Sequence, residues 1–215
     1  EIGSGLVGSE MCIRDSIKPC GNTRSFESYS RMLTTLPRRL RGLPTPMAGL
    51  ALGVASLGWC MENALPLNGW GQLIGAFTAS ALLLLLVLRF VLHTETLWED
   101  LKHPVVGSIV PTFAMSLMVI SRALLHAFPT FAAGLWCVGI TLHLAALIAF
   151  IWFRLRDPVL EKMVPSWFIP PVGIIVADVA FPGVPAFLPF AQTLFVIGLV
   201  SYAILLPTLL YRLFF

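Results

Sequence analysis

Charged residues are scarce in this 215-residue chain: they make up 12% of it, whereas hydrophobic residues make up 57%. Soluble domains carry about 25% charged residues. A water-soluble body of this length needs a polar surface, which 14 basic and 11 acidic side chains do not provide. This scarcity excludes a soluble enzyme, a nucleic-acid-binding domain and a disordered chain. The composition therefore predicts a membrane protein, with the lipid bilayer around it and no nucleic-acid partner.

Motifs for catalysis and for cofactor binding are also missing from the sequence. There is no phosphate-binding glycine loop and no nucleophile–base pair. Two histidines and three carboxylates gather between residues 93 and 103, but without HxxxH or HExxH spacing. The cysteines, which have neither paired spacing nor a nearby histidine, are Cys12, Cys20, Cys60 and Cys137. We predict no enzyme activity, no cofactor and no metal ion.

Six apolar stretches are long enough for transmembrane helices, which need about 20 residues each. The strands of a β-barrel would be about 10 residues long and would alternate in polarity, unlike these stretches. We therefore predict an all-α membrane protein. The predicted helices are span one (Pro44–Met61), span two (Trp70–His93), span three (Pro104–Phe128), span four (Phe131–Arg154), span five (Pro165–Phe181) and span six (Ala186–Tyr211).

Lysine and arginine fall in every second connection between the spans. They occur before span one, after span two, after span four and after span six, whereas the turns after spans one, three and five have none. Cytoplasmic loops of membrane proteins are rich in these residues. The alternation therefore predicts a multi-pass protein of the cytoplasmic membrane with its N-terminus on the cytoplasmic side. A missed or invented span would break the alternation.

The first 43 residues differ in charge from the rest of the chain, since they hold the whole net charge of +3. Residues 1–16 include GSEMCIRDS, which resembles translated sequencing-adapter read-through, so we predict a non-native leader there. We expect residues 17–43 to form a basic cytoplasmic segment. Residues 44–215 are predicted to form a transmembrane domain that is truncated at its C-terminus.

Prolines mark the odd-numbered spans: Pro111 lies inside span three, and Pro170 and Pro171 lie near the start of span five. A proline leaves the carbonyl four residues earlier unpaired, which a membrane tolerates only where protein or a water-filled cavity covers it. We predict that the odd spans form an inner, kinked ring and that the even spans form an outer, lipid-facing one. The alternative is that Pro170 occupies a helix start. The carbonyls predicted to be freed are that of Gly107 and, if the helix already runs through that point, those of Ser166 and Trp167.

Two polar side chains are predicted to lie inside the membrane. Arg122 lies toward the outer end of span three. Such a cation is either functional, with Asp178 or Glu62 as its partner, or it reaches out to the headgroups. We keep Arg122 as a candidate anion-vestibule charge. His143 lies in the middle of span four, where we expect a hydrogen bond between helices.

Three stretches of the chain resemble a known family. They are LPTPMAGLALGVASLGW in span one, LKHPVVGSIVPTFAMSLMVIS in span three and VPSWFIPPVGIIVA in span five. These are similar to segments of the tellurite-resistance/dicarboxylate transporter family. That family includes bacterial tellurite-resistance permeases, malate permeases, fungal sulfite exporters and plant slow-type anion channels. The resemblance covers about residues 43–215.

The resemblance implies ten transmembrane helices in five hairpins, with proline-kinked inner helices around a pore and usually three subunits in a homotrimer. This chain would hold six of the ten helices. The implied function is a permease or channel for small anions such as malate, sulfite, chloride or tellurite. The kinks that match are at Pro111 and at Pro170 or Pro171, and the family's gating phenylalanine belongs to a helix outside this sequence. A membrane-embedded enzyme and a non-transporting membrane subunit are the alternatives.

Overall fold

The computed structural model describes residues 40–156 and 164–214. Every regular element in these two ranges is a helix, so the prediction of an all-α protein is confirmed. The predicted leader (1–16) and nearly all of the predicted basic segment (17–43) lie outside the described residues. The same is true of Lys162, one of the basic residues predicted to follow span four.

The helices follow the predicted spans in order. Span one is α1 (Met47–Ala64) and span two is α2 (Trp70–Leu92), followed by a short helix, α3 (Thr94–Lys102). Span three consists of α4 (Val106–Ile109) and α5 (Pro111–Leu124), and span four is α6 (Pro129–Leu155). Span six is α9 (Leu188–Phe214), after a 3₁₀ turn at Pro185–Phe187. Span five has four short pieces: a 3₁₀ turn (Pro165–Phe168), α7 (Ile169–Val172), a 3₁₀ turn (Gly173–Ile175) and α8 (Val176–Val179).

Four helices in the described ranges are long and apolar enough to cross a membrane: Trp70–Leu92, Val106–Leu124, Pro129–Arg154 and Pro185–Phe214. They correspond to spans two, three, four and six. Span one has 18 residues but includes the polar pair Glu62-Asn63 and does not reach the same hydropathy. Span five is a shorter apolar helix. The protein is a multi-pass membrane protein whose odd spans are the shorter or less apolar ones.

Neighbouring spans pack in pairs: one with two, three with four, and five with six. Span three also packs against spans one and five, so it contacts both of the other odd spans. In span three 61% of the most apolar 18-residue window is buried, compared with 33% in each of spans two and four. This difference agrees with an inner position for span three and an outer position for its even-numbered neighbours.

Glycines allow the first two spans to approach closely. A Cβ atom at Gly58 would lie 2.5 Å from the carbonyl oxygen of Gly71 and 2.9 Å from the Cα atom of Gly75. The turn between these spans is held by Glu62, whose carboxylate accepts hydrogen bonds from the N–H groups of Gly69 at 2.6 Å and Gly71 at 3.1 Å. Small residues and one carboxylate therefore fix the first hairpin.

Candidate functional site

The helix of span three is interrupted at Val110, between α4 and α5. Pro111, which has no N–H group, is the first residue of α5 and is fully buried. The Phe113 N–H donates to the Val110 carbonyl at 3.1 Å, and the Thr112 hydroxyl donates to the Ile109 carbonyl at 2.7 Å. A side chain thus supplies a hydrogen bond where the backbone pattern changes.

Span five changes repeatedly between 3₁₀ and α geometry, and its two adjacent prolines lie in α7. Pro170 is fully buried and Pro171 is half-buried. The N–H group of Ile169 donates to the carbonyl of Ser166, which Pro170 was predicted to leave unpaired. The condition for that prediction is not met, because Pro165–Phe168 is a 3₁₀ turn, which lets a donor one position earlier in the chain take the place of the missing N–H.

Hydroxyl groups connect span three to the other two odd spans. The Oγ atoms of Ser108 and Ser166 lie 2.7 Å apart, so the kinked segments of spans three and five meet there. Ser116 donates to the Ala48 carbonyl of span one at 3.2 Å. Ser108, Thr112 and Ser116 recur every fourth residue and are all buried. This polar stripe was not predicted, although hydroxyls at that spacing in an apolar span are a readable signal.

His143 of span four lies between the two kink regions. Its side chain is fully buried, and its Nε2 atom lies 2.8 Å from the carbonyl oxygen of Pro170. The carbonyl of Pro111 also lies near the ring, whereas the Nδ1 atom has no hydrogen-bond partner among the described residues. The predicted hydrogen bond between helices is confirmed, and it joins an outer span to a kinked inner one.

Arg122 lies where the ends of three odd spans meet, on the side of the protein opposite to α3. Its Nη1 atom donates to the carbonyl of Phe181 at the end of span five, at 3.3 Å. Its guanidinium carbon is 6.0 Å from the ring centre of Trp59 in span one. Neither predicted partner, Asp178 or Glu62, forms an ion pair with it. The Glu62 carboxylate is instead bonded to backbone N–H groups of the turn after span one.

Comparison with known proteins identifies the family to which this arrangement belongs. The family model described as voltage-dependent anion channel matches residues 44–215. The chain belongs to the voltage-dependent anion channel family. This match also confirms the resemblance on which the ten-helix expectation rests.

Two uncharacterised transporters of Methanocaldococcus jannaschii are similar to part of this chain. One is 36% identical over 98 residues, which is 44% of this chain and 28% of the relative. The other is 34% identical over 102 residues, which is 46% of this chain and 30% of the relative. Each match spans less than a third of the relative's length. The family and the relatives are those of channels and transporters rather than of enzymes.

A buried ion pair on the α3 side of the anion-channel fold was not predicted. The Nη2 atom of Arg89 lies 3.2 Å from Oδ2 of Asp100. Its Nη1 atom donates to the Thr45 hydroxyl at 2.7 Å, and that hydroxyl donates to Asp100 in turn. Arg89 is only 7% exposed. An arginine within the apolar run of span two was the available signal in the sequence.

The histidines and carboxylates of α3 and its flanks do not converge on one point. His93 lies 3.4 Å from Glu95, whereas Asp100 is turned toward Arg89. Within residues 40–156 and 164–214, no group of three or more His, Cys, Asp or Glu side chains is placed to hold a metal ion. Asp100 instead contributes to the position of α3 through its ion pair with Arg89.

Two cavities lie near the spans, and the first is lined by Val110 and Phe113, which flank Pro111 in the sequence. One of about 270 Å³ lies between the first four spans and α3, and its walls are almost wholly apolar. Another, of about 440 Å³, lies beside Glu62 and His126 at the opposite side. Neither of these two cavities is lined by Pro111, Pro170, Pro171 or Arg122.

Proposed function

We propose that the protein moves small anions through a pore between its odd-numbered spans. Membership of the voltage-dependent anion channel family supports this function. The observation that favours it most is the position of Arg122, whose guanidinium group lies where spans one, three and five meet. A fixed positive charge would then stand at the mouth of the pore, and Pro111, Pro170 and Pro171 would line its walls.

The chemistry of Arg122 suits the attraction of anions better than their tight binding. A guanidinium group has five N–H donors, and among the residues that the structure describes this one makes a single hydrogen bond, to the Phe181 carbonyl. A fixed charge in a low-dielectric cleft raises the local concentration of oppositely charged ions. Passage also requires that binding be weak enough for the ion to leave. The kinks themselves do not favour anions, because carbonyl oxygens repel them.

The proposal includes the surroundings and the substrates of the protein. We place its N-terminus on the cytoplasmic side, because Lys and Arg fall in alternate connections. The cytoplasmic membrane and a homotrimer are what the family resemblance implies. Malate, sulfite, chloride and tellurite are the candidate anions, as the resemblance to tellurite-resistance and dicarboxylate permeases implies.

Replacing Arg122 with alanine tests the proposal. In the protein expressed from its complete gene, Arg122→Ala should lower anion flux into proteoliposomes by about tenfold, since local attraction of the substrate is lost. The loss should shrink as ionic strength rises. Flux of chloride, malate, sulfite and tellurite would each be measured separately.

Arg156→Ala is the matched control for this variant. Arg156 also lies over a tryptophan ring, that of Trp152, but on the outer span four and at the end near α3. Its removal should leave flux within about twofold of wild type. Unchanged flux and selectivity in Arg122→Ala would refute the role of Arg122. No flux of any of the four anions in the wild-type protein would overturn the proposed function itself.

A further inference from the structure

We propose that His143 is a positioning residue for anion passage, because it holds the kinked segments of spans three and five in their relative places. This inference rests on the proposed function, since it concerns the shape of the pore. His143 belongs to an outer span and would not touch the anion, so its role would be to maintain the shape of the pore.

The contact between spans three and four sets the position of His143. A Cβ atom at Gly139 would lie 2.7 Å from Cγ of Met118 and 3.1 Å from the Ala114 carbonyl oxygen. Span four therefore lies directly against α5 at this point. His143 comes one helical turn after Gly139 on the same face, so its ring is directed into the space between spans three and five.

The contact with span five is both polar and tightly packed. A carbonyl oxygen only accepts hydrogen bonds, so the Nε2 atom of His143 carries the hydrogen that is donated to Pro170. A Cβ atom at Gly173 would lie 3.3 Å from Cε1 of His143 and 2.7 Å from Sδ of Met115. A side chain at Gly173 would therefore displace Met115, and the imidazole of His143 lies close to this glycine.

The energetic cost of His143 argues against a role in packing alone. A polar side chain inside a membrane is unfavourable, and a leucine would fill a similar volume without that cost. The Nδ1 atom, buried and unpaired among the described residues, adds to it. Span five needs an external contact, because no continuous α-helix runs from Pro165 to Val179. The hydrogen bond to Pro170 supplies that contact beside the carbonyl of Pro111.

The test compares His143→Leu with His143→Gln, which keeps an N–H donor near the position of Nε2. Cysteines replace Ser108 and Ser166, whose Oγ atoms are 2.7 Å apart, in a background without the native cysteines. The rate of disulfide formation then reports whether spans three and five keep their relative places. His143→Leu should slow it by about fivefold, and His143→Gln should stay within about twofold of wild type.

Transport gives the second measurement in the same variants. The ratio of chloride flux to malate flux in proteoliposomes should change by about fivefold in His143→Leu and return toward wild type in His143→Gln. Thr141→Val is the control, because Thr141 is exposed on the same helix and bonds only to the Cys137 carbonyl among the described residues. If His143→Leu does not fold, His143→Asn replaces it, since its shorter amide does not reach Pro170.

The outcomes separate this inference from the proposed function. Equal disulfide rates in His143→Leu and wild type would overturn the positioning role, whatever the flux. A slower disulfide with an unchanged flux ratio would show that the contact does not shape the pore, which also overturns it. If the wild-type protein moves none of the anions, the proposed function fails, while the disulfide rates still decide whether His143 holds the kinks together.

Discussion

At the scale of single residues, Gly58 decides how closely the first two spans approach. The space beside it is filled by the backbone of span two, namely the Gly71 carbonyl and the Gly75 Cα atom. A backbone cannot move aside as the end of a flexible side chain can. Gly53 lies in the same helix, but a Cβ atom there would meet nothing within 4 Å. An alanine at Gly58 therefore tests the close packing of the helices, whereas an alanine at Gly53 tests helix propensity alone.

Gly58→Ala should destabilise the protein, by about 1–3 kcal/mol, because the two helices would have to move apart. Gly53→Ala should be neutral or stabilising by up to about 1 kcal/mol, since alanine favours the helix over glycine. The measurement is the midpoint of thermal unfolding in detergent. Equal midpoints in the two variants would show that the approach of the helices is not limited by Gly58.

Residue-scale contacts were only partly readable from the sequence. The interhelical role of His143 could be predicted, because a histidine amid small apolar residues in a membrane span needs a partner. The partner of Arg122 could not be predicted, because Asp178 and Glu62 were equally suitable candidates for an ion pair. The structure shows a backbone carbonyl there instead, at Phe181. Every residue has a backbone carbonyl, so the sequence does not indicate which carbonyl accepts a given hydrogen bond.

At the scale of elements, α3 is fastened to the membrane spans by the ion pair of Arg89 with Asp100. The pair also includes the hydroxyl of Thr45, at the start of span one. Two opposite charges in a poorly solvated place stabilise the fold only while both are present. The Asp100 side chain is 18% exposed, so water reduces both the cost of burial and the strength of the pair.

Removing either charge should cost more than removing both. Arg89→Leu and Asp100→Leu should each destabilise the protein by less than the roughly 3–5 kcal/mol known for fully buried pairs. The double variant should be more stable than either single one, because no unpaired charge is left. Thermal midpoints in detergent and the rate of proteolysis at α3 would be measured. Glu99→Gln, at an exposed position of α3, should change neither.

The elements themselves followed from the length and hydropathy of the apolar runs. The boundaries of span two agree within one residue, because Gly69 and His93 end the helical conformation on either side. The internal breaks of span five did not follow, since proline predicts a kink without saying which hydrogen bonds replace the lost one. The Ser166 carbonyl shows this, as its donor is Ile169 in a 3₁₀ turn.

At the scale of the whole molecule, the alternation of connections with and without Lys and Arg predicts the orientation of the protein in the membrane. Asn63, near the end of α1, is exposed, and Glu95 of α3 is exposed as well. These two sites lie before and after span two, so they must face opposite sides of the bilayer if span two crosses it.

Cysteine labelling in cells would test this direction. In a background without native cysteines, Asn63→Cys should react with a membrane-impermeant maleimide in intact cells. Glu95→Cys should react only after the cells are made permeable, because the connection after span two carries Lys102 and is predicted to be cytoplasmic. The reverse pattern would place the N-terminus outside. Labelling of both sites in intact cells would show that span two does not cross.

The broken helix of span five also bears on how the protein is made. A segment from Pro165 to Val179 is shorter than the roughly 20 residues that cross a bilayer unaided. Spans three and four leave the ribosome earlier, and they carry the Ser108 hydroxyl and the His143 imidazole that contact span five. We therefore expect span five to enter the membrane by docking on a surface that is already assembled, so that the order of synthesis becomes part of the folding pathway.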